Sequence, residues 1–217
     1  MPLYKTITVD SQTIVKIWHI TESFDDLMAP LSLKQNSLDR VLGMKSELHQ
    51  RGFLSVRHLL HSEGYTDQDL FYDDRGKPHL KDGKQISITH SYHFSGIIIS
   101  DKKVGIDIEK QREKIVKIAH KFVDTNYDLL DSKDISSIRK LTIIWGIKES
   151  LYKLFATPGM LFKQHFFAIP FNIEDGQTKA WIDYQGLKKP YQASFLEFEG
   201  FSCAYVTSIR PLSSDTQ

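Results

Sequence analysis

Two stretches of helical spacing, each followed by residues patterned as antiparallel strands, constrain this chain more than any other feature. From Leu38 to His61 apolar residues fall at Leu38, Val41, Leu42, Leu48, Phe53, Val56 and Leu60, with Gly64 just past the end. Residues three and four apart share one face of a helix, so the stretch predicts a core-facing helix, broken near Gly43 or Gly52. From about Ser132 to Phe155 the spacing returns, with Ile138, Leu141, Ile144, Trp145, Leu151 and Leu154 as the core stripe and Thr157-Pro158-Gly159 as the stop.

Strand patterns follow each helix. Asp73-Asp74-Arg75-Gly76-Lys77-Pro78 is dense in turn formers, and after it Ile86 and Ile88 alternate with Ser87 and Thr89. Gly96 to Ser100 and Val104 to Glu109 are apolar, β-branched runs separated by Asp101-Lys102-Lys103, which predicts a hairpin. Lys179 to Tyr184, Tyr191 to Phe198 and Ser202 to Ile209 read as three further strands. The expected fold is α+β: two similar lobes, each a long helix packed on an antiparallel sheet, related by pseudo-twofold symmetry. Residues 1–101 are expected to form one lobe and 102–217 the other, with a tail after 211 expected to be disordered.

Composition narrows the function. At 217 residues and 41% hydrophobic content the chain can bury a core unaided. Lysines and arginines (28) nearly balance aspartates and glutamates (27), so no uniform field advertises a nucleic-acid or membrane partner. Any anion site must be local. The single cysteine, Cys203, excludes an internal disulfide and a CxxC metal ribbon. No segment approaches the roughly 20 apolar residues of a membrane span, and Met1 to Asp10 lacks a leader pattern, so a cytoplasmic protein is expected.

Chemistry-bearing residues are few. Asp107 and Glu109 lie two apart in a strand, so both carboxylates leave the same face while Ile106 and Ile108 face the core. Adjacent anions repel unless a cation sits between them, and Mg²⁺ accepts a few carboxylates plus water and phosphate oxygens; the alternative is a solvated strand end. Glu149 and Lys153, four apart on the second long helix, share a face with Trp145, and the alternative there is a surface ion pair. His90 with His93, or His58 with His61, have spacings a zinc site could use, but no cysteine or second pair accompanies them. Cys203 and the aromatic run Phe162, Phe166 and Phe167 read as core.

Val104-Gly105-Ile106-Asp107-Ile108-Glu109, followed some forty residues later by Trp145-Gly146-Ile147-Lys148-Glu149-Ser150-Leu151-Tyr152-Lys153, resembles the paired signature of the 4'-phosphopantetheinyl transferases. The likeness extends over about Leu31 to Phe171 and favours the larger, monomeric, two-lobed class. It implies transfer of the phosphopantetheine arm of coenzyme A to a serine of an apo acyl or peptidyl carrier protein, releasing adenosine 3',5'-bisphosphate, with Mg²⁺ on the diphosphate. By the same resemblance Asp107, Glu109 and Glu149 are metal ligands, Lys153 contacts the diphosphate, and Glu149 is the nearest general base. Gly76-Lys77-Pro78 matches the family's turn near the adenine, Thr89-His90-Ser91 its element at the 3'-phosphate, and Arg51 a phosphate-contacting arginine. Rival readings are a noncatalytic coenzyme A or carrier-protein binding module and a metal-dependent phosphodiester hydrolase.

One departure stands out. Where the family carries Phe-Ser-x-x-Glu, this chain reads Phe122-Val123-Asp124-Thr125-Asn126, a neutral amide in place of an acid. Either that acid is dispensable, with Glu149 or a metal-bound water as base, or Asp124 or Asp128 substitutes for it.

Overall fold

The computed structural model describes residues 3–123 and 134–209. Its first lobe opens with β1 (Leu3–Asp10) and β2 (Thr13–His19), an antiparallel pair that the spacing does not announce. β2 is buried on both faces: Trp18 enters the core beneath the helices, whereas Val15 and Ile17 enter a second core between the sheets. A strand buried on both sides shows no polar–apolar alternation, so its sequence carries no period-two signal.

Three helices follow, α1 (Phe24–Met28), α2 (Gln35–Leu42) and α3 (Glu47–His61). The expected long helix is thus broken at Gly43 to Ser46 and not at Gly52. Gly52 lies inside α3 against the His90 ring, which an added Cβ would meet at an ordinary contact distance of 3.4 Å. The lobe closes with a short pair, β3 (Leu70–Tyr72) and β4 (Pro78–Leu80), and the hairpin β5 (Gln85–Ser91) and β6 (Phe94–Ser100). The main sheet runs β1-β2-β6-β5, with α3 packed across β2, β5 and β6.

The second lobe contains β7 (Val104–Lys110), α4 (Lys114–Ile118), α5 (Ile135–Phe155), α6 (Phe162–His165), β8 (Phe166–Ala168), β9 (Gln177–Tyr184), β10 (Leu187–Phe198) and β11 (Phe201–Ser208). Its antiparallel sheet runs β7-β11-β10-β9-β8. Here the hairpin expected between Gly96–Ser100 and Val104–Glu109 is corrected. β6 already pairs with β2 on one side and β5 on the other, so it has no free edge, and β7 pairs with β11. Asp101 to Lys103 instead carries the chain from one sheet to the other.

α5 is the helix the spacing announced. Asp134 caps its start by accepting from the Ser136 and Ser137 amides, and Ala156, in the left-handed region at φ 51°, ends it. Leu141, Ile144, Leu151 and Leu154 are buried beneath it, as the stripe predicted. The helix lies very close to β7: a Cβ on Gly105 would sit 1.9 Å from the Ser150 carbonyl oxygen. Only glycine permits that approach.

The architecture is therefore α+β in two sheet-based lobes, each with its long helix. Three apolar clusters hold it, one under each helix and one between the sheets, where Val15, Ile17 and Ile98 meet Ile106, Ile108 and Cys203. Asp124, Asn126, Asp128 and the tail after 211 lie outside the described residues. Among the described residues no helix is long and apolar enough to cross a membrane.

Candidate active site

β7 delivers two carboxylates to the junction of the lobes because its alternate residues, Ile106 and Ile108, are committed to the core between the sheets. Asp107 is only 5% exposed, which removes the solvated strand end as its reading. Its Oδ1 accepts from Lys153 Nζ at 2.8 Å and from the Thr89 hydroxyl at 3.3 Å; its Oδ2 is buried without a hydrogen-bond partner. Lys153 Nζ also donates to the Ile106 carbonyl at 3.0 Å. The lysine thus ties α5 to β7, and its ion pair is with Asp107.

Glu109 and the Trp145 indole, one turn before Glu149 on α5, line one small pocket. Burial pushes Asp107 above the usual carboxylate range despite Lys153. For Glu109, burial and the Asp107 charge act in the same upward direction. Glu149 is pushed up to about 7, by burial first and then by Asp107, with Lys153 opposing and Glu109 adding. Burial and mutual repulsion thus leave the three acids with an excess of negative potential that Lys153 offsets only in part.

That potential has a measurable consequence without divalent metal. A carboxyl group whose folded pKa is raised binds more protons folded than unfolded, so its contribution to stability falls as pH rises between the unfolded and folded values. Glu149→Gln removes this penalty. Its melting temperature is expected to exceed that of the unsubstituted chain by a margin that grows from pH 5 to pH 8 in EDTA, read by scanning calorimetry; a margin that shrinks with pH would contradict the assigned environment.

Beside the acids a cavity of about 730 Å³ opens between the lobes. Lys77, Pro78, His90 and Lys153, all named from the sequence, line it. So do Arg40, His49, Arg75 and Tyr152, which sequence reasoning missed. They come from α2, α3, the β3–β4 turn and α5, and no spacing rule links residues on four separate elements. The walls set cationic side chains, Arg40, Arg75, Lys77 and Lys153, among apolar ones: Arg40 sits over the Tyr72 ring at 5.2 Å, and the His49 and His90 rings stand 6.1 Å apart. Partial burial and the neighbouring His49, Lys153 and Arg40 hold His90 below the ordinary histidine value. Lys77 Nζ crosses the junction to the Leu154 carbonyl at 2.9 Å, in the last turn of α5. Burial, then Lys103, lowers its pKa.

Of the substrate-binding residues expected from the resemblance, Arg51 and Thr89 do not line the cavity, and the three acids lie beside it rather than in its wall. Arg51 donates from Nη2 to the Ile20 carbonyl at 3.2 Å, and its Nε is buried without a partner. Thr89 is 5% exposed and turns its hydroxyl to β7. Lys148, beside Glu149 in sequence, points away from it and donates to the Phe122 and Phe162 carbonyls. Phe166 is a core residue, Phe162 packs edge-on to Trp145 at 5.0 Å, and Phe167 stacks on Trp181. Cys203 is buried in the core between the sheets, and burial raises its thiol. His58 shares a hydrogen bond with the Leu27 carbonyl and stacks on Trp18, which accounts for it without a metal.

Among the described residues, no three His, Cys, Asp or Glu side chains are gathered closely enough to hold an ion by themselves. The donor chemistry nevertheless fits Mg²⁺, which takes one or two carboxylates and completes its shell with substrate phosphate and water. The buried, unpartnered Oδ2 of Asp107 is the feature such an ion would satisfy.

With this geometry in place, the likeness to known proteins is direct. A family model described as the 4'-phosphopantetheinyl transferase superfamily matches residues 103–206, a span that includes β7, α5 and all three acids. Over 181 residues the chain is 31% identical to the 4'-phosphopantetheinyl transferase gsp of Aneurinibacillus migulanus, covering 79% of this chain and 73% of that protein. The match extends well beyond the second lobe, and the chain belongs to the 4'-phosphopantetheinyl transferase superfamily.

Proposed function

We propose that the protein transfers the 4'-phosphopantetheine group of coenzyme A to a serine of an apo acyl or peptidyl carrier protein and releases adenosine 3',5'-bisphosphate, in a Mg²⁺-dependent reaction. One observation carries the reading: Lys153 belongs both to the acid cluster, through Asp107 Oδ1 at 2.8 Å, and to the wall of the cationic cavity. The cavity and the acids are therefore one site, suited to a nucleotide at one end and a diphosphate at the other. Both parts come from a single chain, so a monomer suffices for the reaction; a cytoplasmic location is part of the same proposal.

In this reading Lys77 and His90 bind the nucleotide end, and Asp107, Glu109 and Glu149 would supply carboxylate oxygens to Mg²⁺, with substrate phosphate and water completing its shell. When bound, the ion neutralises charge on the diphosphate. Glu149 takes the proton from the serine hydroxyl. Serine Oγ bonds to the phosphorus on the pantetheine side as the bond from that phosphorus to the bridging oxygen breaks. Lys153 donates to the departing adenosine bisphosphate, where charge develops.

Mass spectrometry of an apo carrier protein incubated with the enzyme, Mg²⁺ and coenzyme A tests the proposal. A gain of one phosphopantetheine supports it. Binding without gain would identify a noncatalytic module, and cleaved coenzyme A without transfer a hydrolase. A second measurement probes the nucleotide end: His90→Ala is expected to raise KM for coenzyme A by about tenfold, the scale of one lost charged hydrogen bond. The rise should be smaller for dephospho-coenzyme A. Equal effects on both would remove His90 from the 3'-phosphate.

A further inference from the structure

We propose that Thr89, a residue of the first lobe, is a positioning residue for the metal-binding carboxylate of the second: its hydroxyl holds Asp107 Oδ1 and leaves Oδ2 free toward Mg²⁺. The inference rests on the metal reading above.

β5 and β7 are the edges of the two sheets, and they meet without a backbone ladder between them. Side-chain hydroxyls of β5 take its place. Ser87 Oγ accepts from the Ile106 amide at 3.2 Å, and Thr89 Oγ1 accepts from the Ile108 amide at 3.0 Å. These two amides flank Asp107, so the first lobe clamps the backbone on either side of the carboxylate. A threonine hydroxyl has one proton to give. With the Ile108 amide on its lone-pair side, that proton is directed to Asp107 Oδ1, at 3.3 Å. Lys153 Nζ engages the same oxygen at 2.8 Å. One carboxylate oxygen is thus doubly engaged and the other is buried and unpartnered.

Ser87 is the internal comparison. It supports an amide of β7 as Thr89 does, but no hydrogen bond to a carboxylate accompanies it. Thr89 also has its methyl over Gly96, where an added Cβ would lie 3.4 Å from Thr89 Cγ2, so valine fills the same space without the hydroxyl. Partners that orient a ligand from outside its coordination shell typically contribute 10- to 100-fold in metal affinity.

The test is Mn²⁺ titration followed by electron paramagnetic resonance, on the full chain with saturating coenzyme A, beside thermal melts of each variant. Thr89→Val is expected to weaken Mn²⁺ by about tenfold or more, and Thr89→Ser to stay within about threefold of the unsubstituted chain. Ser87→Ala should lower the melting temperature about as much as Thr89→Val and leave Mn²⁺ affinity unchanged. Should Thr89→Val fail to fold, Thr89→Ala, which also lacks the hydroxyl, is expected to show the same weakening. Unchanged affinity in the valine or alanine variant overturns the inference, as does equal weakening by Ser87→Ala, which would make the effect one of seam stability. An unsubstituted chain that binds no Mn²⁺ would overturn the metal reading itself.

Discussion

Asp107→Ala is expected to lower kcat for phosphopantetheine transfer by about 10²-fold or more, the range seen when preorganised electrostatic stabilisation is lost. Two effects combine. The substitution deletes the only described carboxylate paired with Lys153, freeing the ammonium that both the acids and the cavity share. It also removes Oδ2, the buried oxygen with no protein partner. Glu149→Ala should cause a loss of similar size, because Glu149 is both a ligand and the base in the proposed reaction. Transfer to an apo carrier protein, measured with and without EDTA on variants whose circular dichroism is unchanged, decides the matter. Activity that survives chelation and either substitution would mean that the acids are not the metal site.

Gly105→Ala is expected to reduce stability by about 3 kcal/mol or more, at the upper end of what overpacking usually costs. The new Cβ would lie 1.9 Å from the Ser150 carbonyl oxygen and 2.8 Å from its carbon, both backbone atoms of α5 that no rotamer change can move. The helix must lift away from β7 or the strand must buckle. Either movement separates Glu149 and Lys153 from Asp107, and a catalytic constellation tolerates only about 0.5 Å of displacement. Transfer should therefore collapse along with stability. Urea unfolding gives the free energy and the carrier assay gives the rate; stability within about 0.5 kcal/mol of the unsubstituted chain would show that the α5–β7 contact is looser than described.

Glycine and the acids of β7 are parts of one device. Gly105 brings α5 down onto the strand, Ile106 and Ile108 bury the strand's other face, and Asp107 and Glu109 are left facing the helix. A motif of alternating small, apolar and acidic residues is what this geometry needs, whatever the reaction. The short spacings within β7 and α5 obey local rules and are legible in the residues alone: period two puts the two acids together, and an interval of four puts Glu149 and Lys153 on one face.

Periodicity within single elements is enough to specify the long helix α5, the closing strands β9 to β11 and the α+β class; it puts Asp107 beside Glu109 and Glu149 beside Lys153, but only the resemblance of the two motifs to a family singled those four out. Periodicity does not specify which strands are neighbours. The β6–β7 hairpin failed because the edges of β6 are occupied by β2 and β5, a fact about partners distant in sequence. Packing of the whole chain was needed to pair Lys153 with Asp107, to turn Thr89 to β7 and Arg51 to the Ile20 carbonyl, and to gather Arg40, His49 and Arg75 with Lys77 and His90 around one cavity. Burial and charge at the junction arise from side chains on separate elements of both lobes, and their approach is set by how the two sheets pack around Val15, Ile17, Ile106 and Ile108.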